Sequence, residues 1–221
     1  MNLREKYGGD LSESQAKKEM KEAGIPVVKT FLAENKIEAE KHAEETGLPA
    51  VLKIDSEEIK HKTDIGAIKK AYTMEQVREK YDEILGNVKK NMEDADINGV
   101  IVEEEVGGNE FIAGVNQDPQ FGKVLMFGLG GVHVEVFEDV VFRPLPVTEQ
   151  DIRDMIEETE SKKLLEGVRG GEKTDKDFLV EVLKKIAEFG EKEEIRELDV
   201  NPLFIEGNDI KVADALVRLE G

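Results

Sequence analysis

Side chains that carry oxygen alternate with apolar ones in the stretch Glu-Leu-Asp-Val-Asn-Pro-Leu at residues 197–203. Successive residues of a strand face opposite sides, so Asp199 and Asn201, two positions apart, are expected to share one face. A second strand is expected at 210–215, and the tight turn before it pairs Asn201 with Asp214. Asp199, Asn201 and Asp214 could then hold Mg²⁺, which prefers hard oxygen ligands. The alternative is a polar hairpin whose side chains only solvate a turn.

Lys53 lies in an otherwise apolar stretch, Ala-Val-Leu-Lys-Ile at residues 50–54, whose composition is typical of a buried strand. An ammonium group is costly to bury unless an anion compensates its charge. A phosphate group would serve as that anion. The alternative is that the flexible Lys53 side chain extends from the strand end toward Asp55.

The polar stretch over residues 55–66 has too little apolar content to pack, which predicts a loop. It closes with His-Lys-Thr-Asp-Ile-Gly, from His61 to Gly66. An imidazole can accept a phosphoryl group near neutral pH, and a glycine lets the loop change conformation. We therefore predict a mobile segment that reaches phosphate, with His61 either positioning or accepting a phosphoryl group. The alternative is an exposed loop histidine without a role.

An acidic and a basic residue, Glu135 and Arg143, follow the run Phe-Gly-Leu-Gly-Gly at residues 127–131. The run comes after a strand, but no helix pattern opens after it, so it is a weak signal for dinucleotide binding. Glu135 could coordinate or orient a ligand, and Arg143 could bind a γ-phosphate through two hydrogen bonds. An ion pair between these two residues is the alternative.

The elements that position these residues fall into two groups along the chain. Helices and strands alternate in the first group, with helices at 11–23 and 36–46, one apolar helix face over 74–88, and strands at 27–31, 50–54 and 67–72. The second group begins with strands at 100–102, 111–115 and 124–127, followed by helices near 149–160 and 175–189, a strand at 195–200 and a final hairpin. We therefore expect an α+β fold of two lobes, residues 1–96 and 97–221.

The charge of the 221-residue chain bounds its partners, because its formal net charge is -19 and its pI is about 4.7. A negative field of this size repels nucleic acid and anionic membranes, so a bound phosphate needs a metal or a local basic pocket. The chain has no cysteine and no run of the roughly 18 apolar residues that a membrane span needs. We expect a cytoplasmic protein without disulfides that binds neither nucleic acid nor membrane.

Seven different short motifs follow one another along the chain. They are Leu-Lys-Ile at 52–54, His-Lys-Thr-Asp-Ile-Gly at 61–66, Asp-Pro-Gln-Phe-Gly at 118–122, Met-Phe-Gly-Leu-Gly-Gly at 126–131, Phe-Arg at 142–143, Gly-Val-Arg-Gly at 167–170 and Glu-Leu-Asp-Val-Asn-Pro-Leu at 197–203. In this order and spacing they resemble the ATP-grasp β subunit of archaeal ADP-forming acetyl-CoA synthetases. The resemblance covers essentially the whole chain.

This resemblance implies an ATP-grasp fold in which two lobes clamp ATP or ADP, with Lys53 on the phosphates and Glu104 near the adenine or ribose. It implies Mg²⁺ at Asn201 and Asp214. It also implies the reversible reaction of acyl-CoA, ADP and phosphate to acid, CoA and ATP, in a hetero-oligomer with a CoA-binding α subunit. A histidine of that subunit would carry the phosphoryl group, and His61 matches the β-subunit segment that assists this relay.

Three positions depart from the usual pattern of that family: Ala67 replaces a glycine, and Glu105 and His133 replace apolar residues. None of these changes removes an expected metal ligand. Two other functions stay open, namely a succinyl-CoA synthetase-like β subunit and a noncatalytic ATP-grasp module that senses nucleotide. A chain that ends at residue 221 is expected to lack the further C-terminal domain of the former, and the presence of Lys53, Asn201 and Asp214 argues against the latter.

Overall fold

The computed structural model describes residues 2–59, 62–131, 139–167 and 172–220. The chain forms two compact units. The large unit comprises Met1–Leu11, Ala16–Val27 and Gly107–Gly221, and the small unit comprises Ser12–Gln15 and Val28–Val106. Among the described residues, none of the helices combines the length and the apolar character that crossing a lipid bilayer requires.

Helices alternate with strands in the first half of the chain, and strands predominate in the second. In chain order the described elements are α1 (Leu3–Tyr7), α2 (Glu13–Glu22), β1 (Thr30–Ala33), α3 (Lys36–Thr46), β2 (Ala50–Asp55), β3 (Ile68–Ala71), α4 (Met74–Asn91), β4 (Gly99–Glu104), β5 (Asn109–Asp118), β6 (Gly122–Leu129), β7 (Val140–Pro144), α5 (Glu149–Glu158), α6 (Lys162–Leu165), α7 (Lys176–Gly190), β8 (Ile195–Glu206), β9 (Asp209–Val212) and β10 (Ala215–Leu219). The mixed composition confirms the α+β class.

The small unit is built on a four-stranded antiparallel sheet with strand order β1-β4-β2-β3. Helix α3 begins where the Asn35 side chain accepts hydrogen bonds from two N–H groups of the first turn, and it ends at Gly47, whose φ is 89°. These local signals explain why its bounds match the prediction. Helix α4 contributes a buried apolar face to the core of this unit, consisting of Val77, Tyr81, Ile84 and Val88.

The large unit is built on a six-stranded sheet in the order β10-β8-β5-β6-β7, with β9 also paired to β8. Every pair in it is antiparallel. The rings of Phe111 and Phe127 stack at 5.4 Å between centroids on adjacent strands β5 and β6. Helix α7 adds Leu183 and Ile186 to the same core.

The glycines of the run at 127–131 allow close approach of backbone. A Cβ atom on Gly128 would lie 2.0 Å from the carbonyl oxygen of Asp139, and one on Gly130 would lie 2.4 Å from the backbone of Phe111. Both positions therefore require glycine for packing. This structural requirement accounts for the run without invoking a dinucleotide-binding motif.

The bounds of the two units differ from those of the expected lobes, residues 1–96 and 97–221. Strand β4 lies after residue 96, but it hydrogen-bonds to β1 and β2 and so belongs to the small unit. Helix α1 and most of α2 belong to the large unit, where Leu3 and Met20 enter the core. Hydrophobic periodicity identifies a strand or helix but not the core that will bury it.

Three local expectations also need correction. The strand expected at 27–31 lies at Thr30–Ala33, and the one expected at 210–215 is divided, because Ala213 and Asp214 separate β9 from β10. The stretch 55–66 packs more than its polarity suggested, since Ile59 and Lys62 are buried within it. Ion pairing explains how a lysine can be buried there, and the partner is described below.

Candidate functional site

Asp199, Asn201 and Asp214 form what we call the carboxylate cluster. Asp199 and Asn201 are alternate residues of β8, while Leu198 and Val200 are fully buried. The backbone N–H of Asn201 donates to the carbonyl oxygen of Asp214 at 3.3 Å. This contact continues the register of β8 and β9, and it confirms the pairing of Asn201 with Asp214 expected from the hairpin.

Asp199 is the member of this cluster whose charged form is disfavoured by its surroundings. Burial, followed by the negative charges of Glu197 and Asp214, raises its pKa from 3.8 to about 6, while Arg218 opposes the shift. Arg218 is itself paired with Glu197 at 2.7 Å. The Oδ1 atom of Asp199 is buried and has no hydrogen-bond partner among the described residues. A buried carboxylate oxygen of this kind is stabilised by a cation.

The donor set of the carboxylate cluster fits a hard divalent cation such as Mg²⁺, with two carboxylates and one amide oxygen. The Oδ1 atom of Asn201 accepts a hydrogen bond from the backbone N–H of Gly131 at 3.0 Å, which orients the amide and leaves a second lone pair. Within the ranges that the structure describes, no three His, Cys, Asp or Glu side chains are arranged to hold a metal by themselves. A cation here would therefore complete its coordination with phosphate oxygens or water.

Four charged residues of the small unit form a second group, which we call the lysine cluster: Glu13, Lys53, Lys62 and Glu103. Lys53 Nζ lies 2.9 Å from Glu13 Oε1 and 3.0 Å from Glu103 Oε2. Lys62 Nζ pairs with the other carboxylate oxygen of Glu13. All four side chains are buried. Charges can be buried here because each is paired with an opposite charge.

Asp55 is not the partner of Lys53, which excludes the alternative in which that lysine extends to the strand end. The carboxylate of Asp55 accepts hydrogen bonds from the Ser12 hydroxyl at 2.9 Å and from the Ser14 hydroxyl at 2.7 Å. It also accepts from the backbone N–H of Ser14 at 3.1 Å. Asp55 therefore fixes the first turn of α2, the turn that carries Glu13.

Sequence reasoning missed three charged residues that contact candidate site residues or their neighbours, namely Glu13, Glu103 and Lys17. Lys17 is 1% exposed, and its Nζ donates to the carbonyl oxygen of Ala213 at 2.6 Å, next to Asp214. A signal existed in α2, because Glu13 and Lys17 share a helix face with buried Met20 at spacings of four and three residues. Two charges on an apolar helix face indicate buried ion pairs or hydrogen bonds.

Glu104 and Gly66, expected near the nucleotide, have local contacts. Glu104 ends β4, and its Oε1 accepts a hydrogen bond from the backbone N–H of Lys29 at 2.9 Å. Gly66 has a φ of 66°, and its carbonyl oxygen accepts from the side-chain amide of Asn87 at 3.0 Å. A Cβ atom at this position would lie 2.9 Å from the side-chain nitrogen of Asn87, and the positive φ also disfavours other residues. The backbone conformation therefore explains why residue 66 is glycine, in addition to any role in binding.

Arg143 lies on β7 opposite Leu125 of β6. Its guanidinium pairs with Glu158 of α5 and donates to the carbonyl oxygen of Phe142 at 2.9 Å. An ion pair was one of the alternatives for Arg143, but the observed partner is Glu158. The side chain is partly exposed, so this pair costs little to exchange for another anion.

Three histidine and carboxylate candidates fall on residues that the structure does not describe. His61, Glu135 and His133 lie outside the described ranges, as does most of the motif at 167–170. Lys62, which directly follows His61, is described and belongs to the lysine cluster.

The comparisons with known proteins agree with this fold. The ATP-grasp domain family matches residues 2–219. The chain therefore belongs to the ATP-grasp family. Over 217 residues it is 40% identical to the β subunit of acetate–CoA ligase (ADP-forming) II of Pyrococcus furiosus, covering 96% of this chain and 92% of that one. This identity confirms the resemblance predicted from the seven motifs.

Solved structures of an acetyl-coenzyme A synthetase give the same result. One is the dinucleotide forming acetyl-coenzyme A synthetase 1 of Ca. Korarchaeum cryptofilum in complex with coenzyme A, Ca-AMPCP and HgCl⁺, with a TM-score of 0.92 and 43% identity over 98% of this chain and 96% of that one. A selenomethionine form of that synthetase, in complex with coenzyme A and Mg-AMPPCP, has its phosphohistidine segment pointing towards the nucleotide binding site. Its TM-score is 0.83 at 40% identity, with the same coverage.

Proposed function

We propose that this chain is the ATP- and ADP-binding β subunit of an ADP-forming acid–CoA ligase. It would transfer a phosphoryl group between ADP or ATP and a phosphohistidine while acyl-CoA, ADP and phosphate are converted to acid, CoA and ATP. The observation that carries this proposal is the TM-score of 0.92 over 98% of the chain to a synthetase chain that was solved with a nucleotide analogue. The match extends to nearly all of both chains, so it covers the whole domain.

The carboxylate cluster is the proposed metal site. A bound Mg²⁺ would supply positive charge that stabilises the phosphate groups during transfer. Asp214 and Asn201 would hold the cation, and Asp199 would be a further ligand or would orient the other two. The unpartnered Oδ1 of Asp199 and its raised pKa support this assignment, because both reflect negative charge that a cation would stabilise.

The remaining candidates are proposed to surround the nucleotide. Lys53 would bind its phosphates, Arg143 would bind the γ-phosphate, and Glu104 would contact the adenine or ribose. Arg143 is suited to exchange its partner because its present pair with Glu158 is partly exposed. Glu135 and Gly66 are also proposed to lie near the phosphates.

His61 is proposed to accept and return the phosphoryl group. In that step the bond from the γ-phosphorus to the β–γ bridging oxygen breaks, a bond to an imidazole nitrogen forms, and ADP leaves. The partner would be a CoA-binding α subunit. The β-subunit relative in Pyrococcus furiosus supports a partner subunit of some kind.

The test measures nucleotide binding, synthetase turnover and protein labelling with the purified chain, alone and with an α subunit. We expect the chain alone to bind Mg²⁺–nucleotide without producing acyl-CoA, and turnover to require the α subunit. Label from γ-phosphate-labelled ATP should appear on this chain as an acid-labile phosphohistidine. Turnover by the isolated chain would contradict the division into two subunits.

His42 provides the matched control for His61. It stacks on Phe31 at 4.9 Å between ring centroids, away from any proposed role in catalysis. His61→Ala and His61→Gln should both abolish the label and ADP phosphorylation, whereas His42→Gln should keep both. If His61→Gln retains part of the turnover, His61 only donates a hydrogen bond to the phosphohistidine of the partner. If no label forms while the complex turns over normally, the relay is wrong.

A further inference from the structure

Glu13 connects the two lysines of the lysine cluster through one carboxylate. Its Oε1 lies 2.9 Å from Lys53 Nζ, and its Oε2 pairs with Lys62 Nζ. The Glu13 side chain is only 2% exposed, so water does not screen either contact. Because one carboxylate binds both ammonium groups, the position of Lys62 depends on the residue that also holds Lys53.

Lys62 is also the first residue of a turn that directly follows His61. Its backbone carbonyl oxygen accepts a hydrogen bond from the N–H of Ala67 at 2.8 Å. Inside this turn, the N–H of Gly66 donates to the carbonyl oxygen of Thr63 at 3.0 Å. A buried ion pair at Lys62 therefore fixes the start of a compact turn, and His61 is the residue directly before it.

Glu13 itself is held in place independently of the lysines. Asp55 binds both Ser12 and Ser14, the residues on either side of Glu13. The backbone that carries the carboxylate is therefore fixed even when the ion pairs are altered. Lys53, by contrast, keeps a second carboxylate partner, Glu103, at 3.0 Å. Lys53 would therefore keep an anionic partner if Glu13 were neutralised.

We propose that Glu13 is a positioning residue for phosphoryl transfer. Through Lys62 it anchors the segment that begins after His61, and through Lys53 it links that anchor to the strand that would bind phosphate. The proposal rests on the proposed function for its catalytic consequence, whereas the anchoring itself is a property of this chain alone.

Glu13→Gln is the sharpest test, because glutamine preserves the shape of the side chain and removes its charge. Its amide offers one oxygen acceptor, and its NH₂ group can only donate, so it cannot bind both ammonium groups. With the α subunit present, we expect kcat to fall about 10- to 100-fold. A loss of this size is typical when a residue that positions a reacting group, without touching the substrate, is removed. The KM and the dissociation constant for Mg²⁺–nucleotide should change less than about threefold, because Glu103 still holds Lys53.

Hydrogen exchange of the nucleotide-free chain measures the anchoring directly. In Glu13→Gln the amides of Gly66 and Ala67 should exchange at least about tenfold faster, while those of α4 should not change. Glu105→Gln is the matched control, since it removes a carboxylate of the small unit that pairs with Lys70 rather than with the lysine cluster, and it should leave the amides of Gly66 and Ala67 protected. This readout does not depend on catalysis.

A charge-balanced variant guards against loss of folding. Glu13→Gln with Lys62→Met removes one anion and one cation together, and it should show the same fall in kcat and the same fast exchange. Unchanged exchange at Gly66 and Ala67, or a kcat within twofold of the wild type in either variant, would overturn the proposal. Failure of the wild-type chain to bind Mg²⁺–nucleotide would instead count against the proposed function, and the exchange experiment would still decide the role of Glu13.

Discussion

The lysine cluster has buried charged side chains and the carboxylate cluster has partly buried ones, and they differ in how the charge is balanced. In the lysine cluster, Lys53 lies within 3.0 Å of two carboxylates, so positive and negative groups compensate each other. In the carboxylate cluster, Asp199 is surrounded by Glu197 and Asp214, its pKa is raised to about 6, and its Oδ1 has no partner among the described residues.

This difference separates a region that is stable by itself from one that a ligand would stabilise. Opposite charges that are buried together hold their geometry without a ligand. Removing one of them lowers the free energy of unfolding strongly, because the other charge stays buried without compensation. Like charges that are held close together in a partly buried site destabilise the fold until a cation binds. Removing the charge of Lys53 should therefore lower stability, whereas removing the charge of Asp199 should raise it in the absence of a cation.

The largest effect is expected for Lys53→Met, which removes a cation and leaves Glu13 and Glu103 with less compensation. Breaking a buried ion pair from one side costs about 3–5 kcal/mol, so the free energy of unfolding should fall by that amount. Urea denaturation at neutral pH measures it. Lys70→Met is the control, because the half-exposed pair of Lys70 with Glu105 should contribute only about 0–1 kcal/mol. An equal decrease in the free energy of unfolding in the two variants would show that the buried ion pairs of Lys53 contribute no more than an exposed pair.

The second prediction concerns Asp214→Ala, a change in the carboxylate cluster. Stability should change little, but phosphoryl transfer with the α subunit should fall by about 100-fold or more, since even outer-shell partners of a metal contribute about 10- to 100-fold. Asp209→Ala provides a control in the same hairpin, since the Asp209 side chain is 62% exposed. Wild-type turnover in Asp214→Ala would remove the metal assignment.

The third prediction is a pH dependence of stability in chelator, caused by Asp199. Its folded pKa, about 6, lies above the ordinary value of 3.8, so the folded state binds the proton more tightly than the unfolded state. Stability should therefore decrease as the pH rises from about 4 to about 6 and stay lower above this window, by at most on the order of 3 kcal/mol.

Asp199→Asn isolates this contribution because asparagine does not titrate. Relative to the wild type, the variant should gain stability above pH 6 and lose that advantage near pH 4, as measured by urea denaturation across the range. Adding Mg²⁺ at pH 7 should stabilise the wild type more than the variant. A constant difference at every pH would show that Asp199 is not destabilised by its surroundings.

Local signals allowed several parts of the fold and site to be predicted. Helix α3 begins at an asparagine cap and ends at a glycine with positive φ, and both are visible in the sequence. The pairing of Asn201 with Asp214 follows from a short turn that sets the register of the two strands. In each case the interacting residues lie within about a dozen positions of one another, so chain geometry determines the contact.

Non-local contacts were not predicted. An ion pair with Glu135 was the alternative considered for Arg143, whereas the packing of α5 against β7 places Glu158 beside it. Lys53 was considered together with Asp55, whereas its partners Glu13 and Glu103 lie 40 and 50 residues away. Nothing in the spacing of residues along the chain specifies which distant carboxylate will meet a buried lysine.

By itself, the sequence determined the class of the fold, the family, most helices and strands, and the residue types able to hold a cation and phosphate. Periodicity, caps and turns encode these features over a few residues, and the ordered motifs identify the family. Only the tertiary structure decided that β4 completes the sheet of the small unit, that Glu13 joins Lys53 to Lys62, and that the buried Oδ1 atom of Asp199 lies in the field of two other carboxylates. These outcomes depend on which surfaces exclude water together, and that is a property of the packed chain.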